Sequence, residues 1–154
     1  MDVIKAGEEV YHGSGKIVAS TIKAKYYGIY YGAHWAPPCR LFTTVLTEFY
    51  DEVNKVKPDD FDKNFEVLFV SLDGSHDAFL RNFKDMKWLG VSMNEDQRIS
   101  ALKQKFGVNG VPTLVITKPN GDLISYDGRK DIQEGADNAL EAWKIKAKGA
   151  QGGA

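Results

Sequence analysis

The chain has 154 residues, 43% hydrophobic and 12% aromatic, with 20 basic against 21 acidic residues and a formal net charge of −1. That length suits one domain with a sizeable core, and the near-balance of charge offers no electrostatic footprint for nucleic acid or an anionic membrane surface. A single cysteine, Cys39, excludes an internal disulfide framework, and no run approaches the roughly 18 apolar residues of a membrane helix.

The start, Met1 to Glu9, carries neither the basic nor the apolar region of a signal peptide. Together with the cysteine usage, this reads as a soluble, cytoplasmic protein, since cytosolic chains rarely need paired cysteines. Glu8 to His12 and Lys16 to Ile22 are short β-prone runs around Gly13-Ser14-Gly15, which predicts a hairpin with a glycine turn. Tyr26 to Tyr31 is a mostly apolar run, as expected of a strand buried on both faces.

The stretch His34-Trp35-Ala36-Pro37-Pro38-Cys39-Arg40 follows. A helix is expected to begin at Pro37 or Pro38, because the missing proline N–H would be unpaired in a first turn anyway. Phe42, Val45, Leu46, Phe49 and Val53 recur at three- and four-residue steps and predict one buried face. Lys55 to Asn64, with Pro58, reads as a loop, and Phe65 to Leu72 as a central strand, completing a βαβ unit. Asp73 or Ser75 can cap the next helix, with Phe79, Leu80, Phe83 and Met86 inward.

Lys87 to Asn94 reads as a connector that tucks Trp88 and Leu89 inward, and Glu95 to Phe106 as a helix closed by Gly107. Val111 to Thr117 is an expected strand, opened by Val-Pro-Thr, where proline is tolerated. Pro119-Asn120-Gly121-Asp122 marks a turn into a strand at Leu123 to Tyr126. Ala136, Leu140, Trp143 and Ala147 predict the last helix. Residues 1–148 make a single domain in this reading, and 149–154 a flexible Gly-rich tail.

Chemistry concentrates at residues 34–40. A helix N-terminus carries partial positive charge and favours a thiolate, which puts Cys39 where sulfur chemistry is favoured. Against that stands a small buried thiol, which is usually inert. Trp35 could shield the site and offer a flat apolar surface, or simply pack into the core. Arg40 could support a thiolate or meet an acidic partner, or be solvated. His34 could act as a base or donor near the motif, or be a tolerated loop residue. His12 and His76 lie in turns, far apart in sequence, and make no metal spacing.

The stretch resembles the Trp-Cys-x-x-Cys active-site motif of the thioredoxin superfamily, and its two prolines and arginine look like the Trp-Cys-Pro-Pro-Cys-Arg of tryparedoxins and nucleoredoxins. The likeness extends to Glu48-Phe-Tyr-Asp51, Asn64-Phe-Glu-Val67, Phe83-Lys-Asp-Met86 with Trp88-Leu89, and Phe106 to Leu114. It implies a thioredoxin fold, an α/β domain with a central mixed β-sheet flanked by helices and an N-terminal β-hairpin. It also implies protein-disulfide reduction with no bound cofactor and no metal, the sulfurs being the redox groups. On this resemblance Ala36 holds the nucleophile position, where the family has cysteine, and Cys39 the resolving position. Trp35, Pro37, Pro38, Arg40, Val111 and Pro112 would form the substrate groove, Pro112 as a cis-proline and Val111 pairing with the bound chain. The buried carboxylate of thioredoxins falls on Tyr30. Lys87 and Ser92 stand where the family usually has proline.

The family mechanism needs two sulfurs, one to attack a substrate disulfide and one to resolve the mixed disulfide. With Ala36 the dithiol cycle is chemically excluded, and only monothiol chemistry at Cys39 remains. A laboratory replacement of cysteine and a natural variant kept for binding both fit Ala36. Two functions stay open: an oxidoreductase silenced at one position, or a redox-inactive binding module that docks a partner chain between Trp35 and Pro112, as a monomer or as a subunit of a larger assembly.

Overall fold

The computed structural model describes residues 9–13, 15–18, 23–33, 35–58, 60–92, 104, 107 and 110–152. In chain order they form β1 (Glu9–His12), β2 (Gly15–Val18), β3 (Ala24–Gly32), α1 (Pro37–Val53), β4 (Lys63–Ser71), α2 (His76–Phe83), β5 (Leu89–Ser92), β6 (Thr113–Thr117), β7 (Leu123–Ser125), α3 (Gly128–Gln133) and α4 (Ala136–Gly152). The expected helix over 95–106 lies outside the described residues.

The strands make one mixed sheet in the order β2-β1-β5-β4-β3-β6-β7. β3, β4 and β5 run parallel, and the remaining pairings are antiparallel. β3 and β4 occupy the centre and are almost wholly buried, which is why both read as near-continuous apolar runs. Alternation along them separates two cores. Tyr30, Phe65 and Phe69 face the helical side with Phe42, Leu46, Phe49, Phe79, Phe83 and Trp143. Ile29, Tyr31, Leu68 and Val70 face the other side with Val10, Leu89, Val91 and Val115.

Several expectations are corrected. Residues 89–92, read as part of a connector, form a strand that joins β1 to β4. Its four residues, one of them glycine, carry too little β signal to be seen alone, and Gly90 is there for close approach: a Cβ would stand 2.7 Å from Phe83 Cε1. Trp88 and Leu89 are inward, as expected, at 0% and 1% exposure. β4 begins at Lys63, inside the stretch read as loop. Asn54 explains the early start, because its side chain accepts from the N–H groups of Asn64 and Phe65 at 3.0 and 3.1 Å and donates to the Phe65 carbonyl, fastening the end of α1 to the strand.

Val45 and Leu80 are exposed although their spacing placed them on buried faces. On α1 the buried side is instead completed by Cys39 and Tyr50. The short helix α3 follows no apolar period and was not expected; Gly128 lets it sit against β6, where a Cβ would meet the Leu114 carbonyl oxygen at 2.8 Å. Ser75 caps α2 by accepting from Ala78 N–H at 3.1 Å. Gly121, at φ 92°, supplies the positive φ of the turn before β7.

Candidate active site

The sheet brings three chain segments to one end. Gly32, the last residue of β3, pairs with Ser71, the last of β4, and Tyr31 pairs with Thr113, the first of β6. The residues that follow β3, follow β4 and precede β6 therefore meet at one end. These are the motif, Asp73 and Val111-Pro112. The Val111–Pro112 bond is cis, as the resemblance implied.

α1 begins at Pro37, with Pro37 and Pro38 exposed in its first turn and Ala36 as the extended residue before it (φ −97°, ψ 108°). The Ala36 N–H donates to the Ala33 carbonyl at 3.3 Å, and the Cys39 N–H to the Ala36 carbonyl at 2.9 Å, which tightens the entry to the helix. Ala36 is 6% exposed and Cys39 2%, whereas Trp35 is 66% exposed. Trp35 is thus a surface group beside the motif rather than core packing. Arg40 is exposed, Val111 half-buried and Pro112 buried. His34 lies outside the described residues.

Beneath the motif, Tyr30 takes the place of a buried carboxylate. Its hydroxyl donates to the Cys39 carbonyl at 3.0 Å and lies 2.8 Å from Thr43 Oγ1, and Thr43 Oγ1 donates to the same carbonyl at 2.8 Å. Burial drives the Tyr30 phenol well above the usual tyrosine range, so it stays a neutral donor. Burial also pushes the Cys39 thiol up. The Ala33 backbone, the Tyr30 hydroxyl and Arg129 pull it down, and Asp73 adds to the rise. Desolvation is the largest of these influences, and it favours the neutral thiol.

Asp73, Thr43 and Arg129 were not anticipated as site residues. Asp73 is 2% exposed and accepts from Ser71 Oγ at 2.8 Å, with its own N–H donating back to that oxygen at 3.2 Å. Arg129 donates from Nη1 to the Pro112 carbonyl at 3.1 Å, with its guanidinium carbon 5.6 Å from the centre of the Phe42 ring. It thus ties α3 to the cis-proline and to α1. Thr43 carried a sequence signal, lying four residues after Cys39 on one helix face. Arg129 carried none, because its approach depends on how α3 packs.

Among the described residues, no three His, Cys, Asp or Glu side chains are grouped so as to hold a metal ion. Among those residues, too, no helix is long and apolar enough to cross a membrane. A cleft of about 180 Å³ lined by His12, Lys23, Lys63 and Glu66 lies at the opposite end of the sheet, where β3 and β4 begin. The motif end holds Cys39 and the exposed Trp35.

The Thioredoxin-like family model matches residues 24–123. Human nucleoredoxin is 33% identical over 141 residues, covering 92% of this chain but 31% of its own length, so the chain spans about a third of that relative. Tryparedoxin from Trypanosoma brucei brucei is 34% identical over 131 residues, covering 84% of this chain and 87% of its own. The solved structure of tryparedoxin from Trypanosoma brucei superposes with a TM-score of 0.76 at 30% identity, over 92% of this chain and 94% of that one. The sheet order, the cis-proline facing a helix-start motif and these similarities together make this chain a member of the thioredoxin superfamily, of the nucleoredoxin and tryparedoxin type.

Proposed function

We propose that the chain is a protein-disulfide oxidoreductase scaffold of the tryparedoxin and nucleoredoxin type, silenced for dithiol turnover at position 36. The observation that carries this is the pair of residues at the helix start. Ala36 offers no sulfur where the family nucleophile attacks, and Cys39, the sole cysteine, is 2% exposed one turn in.

In the active relatives, the first thiolate attacks a substrate disulfide and forms a mixed disulfide, expelling one substrate thiolate. The second thiolate then attacks that mixed disulfide, releases the other substrate thiol and leaves an internal disulfide. This chain lacks the first step. Trp35, at 66% exposure, and the half-buried Val111 beside Pro112 remain as a groove for a partner chain. In this reading Pro37 and Pro38 form its exposed rim and Arg40 stands at its edge.

The test is reduction of a protein disulfide with a dithiol donor, by the chain as it stands and by Ala36→Cys. Turnover by Ala36→Cys alone supports a competent scaffold silenced at one position. If both proteins fold and neither turns over, the oxidoreductase reading fails, and the groove is left as a docking surface for a binding module.

A further inference from the structure

The turn between β6 and β7 carries Asn120-Gly121, a pair with covalent chemistry of its own, away from the motif. A main-chain nitrogen that follows asparagine can attack the side-chain amide, and glycine, with no side chain, leaves that nitrogen open. Asn120 is exposed, so solvent base and water reach it. Hydrogen bonds nevertheless engage every group the reaction needs. The Gly121 N–H donates to the Lys118 carbonyl at 2.9 Å. Asn120 Nδ2 donates to Asp122 Oδ2 at 3.0 Å, and Asn120 Oδ1 accepts from the Asp122 N–H at 3.0 Å. The Lys118 N–H closes the turn on the Asp122 carbonyl at 2.9 Å. Ring closure joins Asn120 Cγ to the Gly121 nitrogen, whereas these bonds fold the side chain past Gly121 to the residue after it.

We propose that Asn120 is a site of spontaneous deamidation that the closed turn suppresses, with Asp122 holding its amide. When the turn opens, a solvent base takes the Gly121 N–H proton and the nitrogen bonds to Asn120 Cγ. The Cγ–Nδ2 bond breaks, and Nδ2 leaves as ammonia after taking a proton from water. A water molecule then opens the cyclic imide at one of its carbonyls, giving aspartate or isoaspartate. The sum is one water consumed and one ammonia released, with no oxidation or reduction. The aspartate product cannot restore the turn, because a carboxylate replaces the amide that donated to Asp122 and like charges meet at hydrogen-bonding range. Isoaspartate also adds a carbon to the main chain. The modification is therefore a one-way record of turn opening.

The experiment incubates the full chain at neutral pH, folded and in guanidinium chloride, and follows deamidation by peptide mass spectrometry. Asn109-Gly110 is the other such pair in the chain, so fragment ions locate the modified residue. Asn120 is expected to react about thirtyfold faster in the denatured chain than in the folded one, the scale of three exposed hydrogen bonds lost together. Asp122→Ala removes one of them and cuts that ratio by about fivefold. Asp122→Asn keeps an acceptor there and retains the parent ratio. Each variant is compared with its own denatured chain, so changes in intrinsic reactivity cancel.

Equal rates in the folded and denatured parent overturn the proposal, and so does an Asn120 that stays unmodified in both. A parent-like ratio in Asp122→Ala, or a loss in Asp122→Asn as large as in Asp122→Ala, overturns the role of Asp122. Should Asp122→Ala fail to fold, judged by the near-ultraviolet signal of the buried Trp88 and Trp143, Asp122→Leu, close to aspartate in shape but without an acceptor, carries the same test.

Discussion

Lys63→Met tests whether the buried Glu66 carboxylate and Lys63 act as a paired unit. Glu66 is 3% exposed. Its Oε2 accepts from Lys63 Nζ at 2.8 Å, and its Oε1 accepts from the Tyr50 hydroxyl at 3.1 Å and the Val67 N–H at 2.9 Å. Lys63 Nζ also donates to Tyr50 Oη at 2.8 Å. Burial opposes the Lys63 charge, but Glu66 and the hydrogen bonds to Glu66 and Tyr50 outweigh it and hold the ammonium above its usual range. Burial, then the Glu66 charge, pushes the Tyr50 phenol up to about 12, so it remains a donor.

Lys63→Met leaves the carboxylate its two donors but no counter-charge. Breaking a fully buried pair costs about 3–5 kcal/mol. The Lys63 side chain is 36% exposed, and solvent screens part of the interaction, so the expected loss is about 2–3 kcal/mol. At this chain length that lowers Tm by about 4–12 °C. The assay is urea unfolding followed by tryptophan fluorescence, with linear extrapolation. The double variant Lys63→Met/Glu66→Leu is expected to be more stable than Lys63→Met alone, because it removes the stranded charge. The pairing argument is refuted if Lys63→Met stays within about 0.5 kcal/mol of the parent, or if the double variant loses the sum of the two single losses.

Two further outcomes follow from the site. Burial raises the Cys39 thiol in the native state, so native alkylation should have a midpoint above the ordinary thiol value of about 8.5, with the urea-unfolded chain reacting near that value. The linked stability is full below the unfolded pKa and is lost as pH rises through the native one; equal midpoints in the two states would contradict this account. Gly128→Ala places a methyl 2.7 Å from Leu114 Cγ and 2.8 Å from its carbonyl oxygen. It should cost about 1–3 kcal/mol in chemical denaturation, because backbone cannot yield as a side-chain tip can, and a neutral result would mean that α3 shifts freely against β6.

Much of this protein is written locally. The apolar runs of β3 and β4, the stepped residues of α1, the proline pair at its start and the missing sulfur at Ala36 can all be read in the sequence, because each is a matter of residue type at short spacing. The motif and the Val-Pro-Thr opening of β6 pointed to one family and to one site. Packing decided the rest. β5 is a strand because β1 and β4 supply its partners on either side, not because Leu-Gly-Val-Ser favours one. Spacing set the buried stripe on α1 but not its width, so Val45 fell to solvent and Tyr50 turned in toward Glu66. Whether Trp35 faced solvent or core depended on the chain around it, as did the burial that favours the neutral thiol of Cys39. Arg129 reaches the Pro112 carbonyl from 17 residues away, an encounter between α3 and the residue before β6 that only the closed sheet brings about.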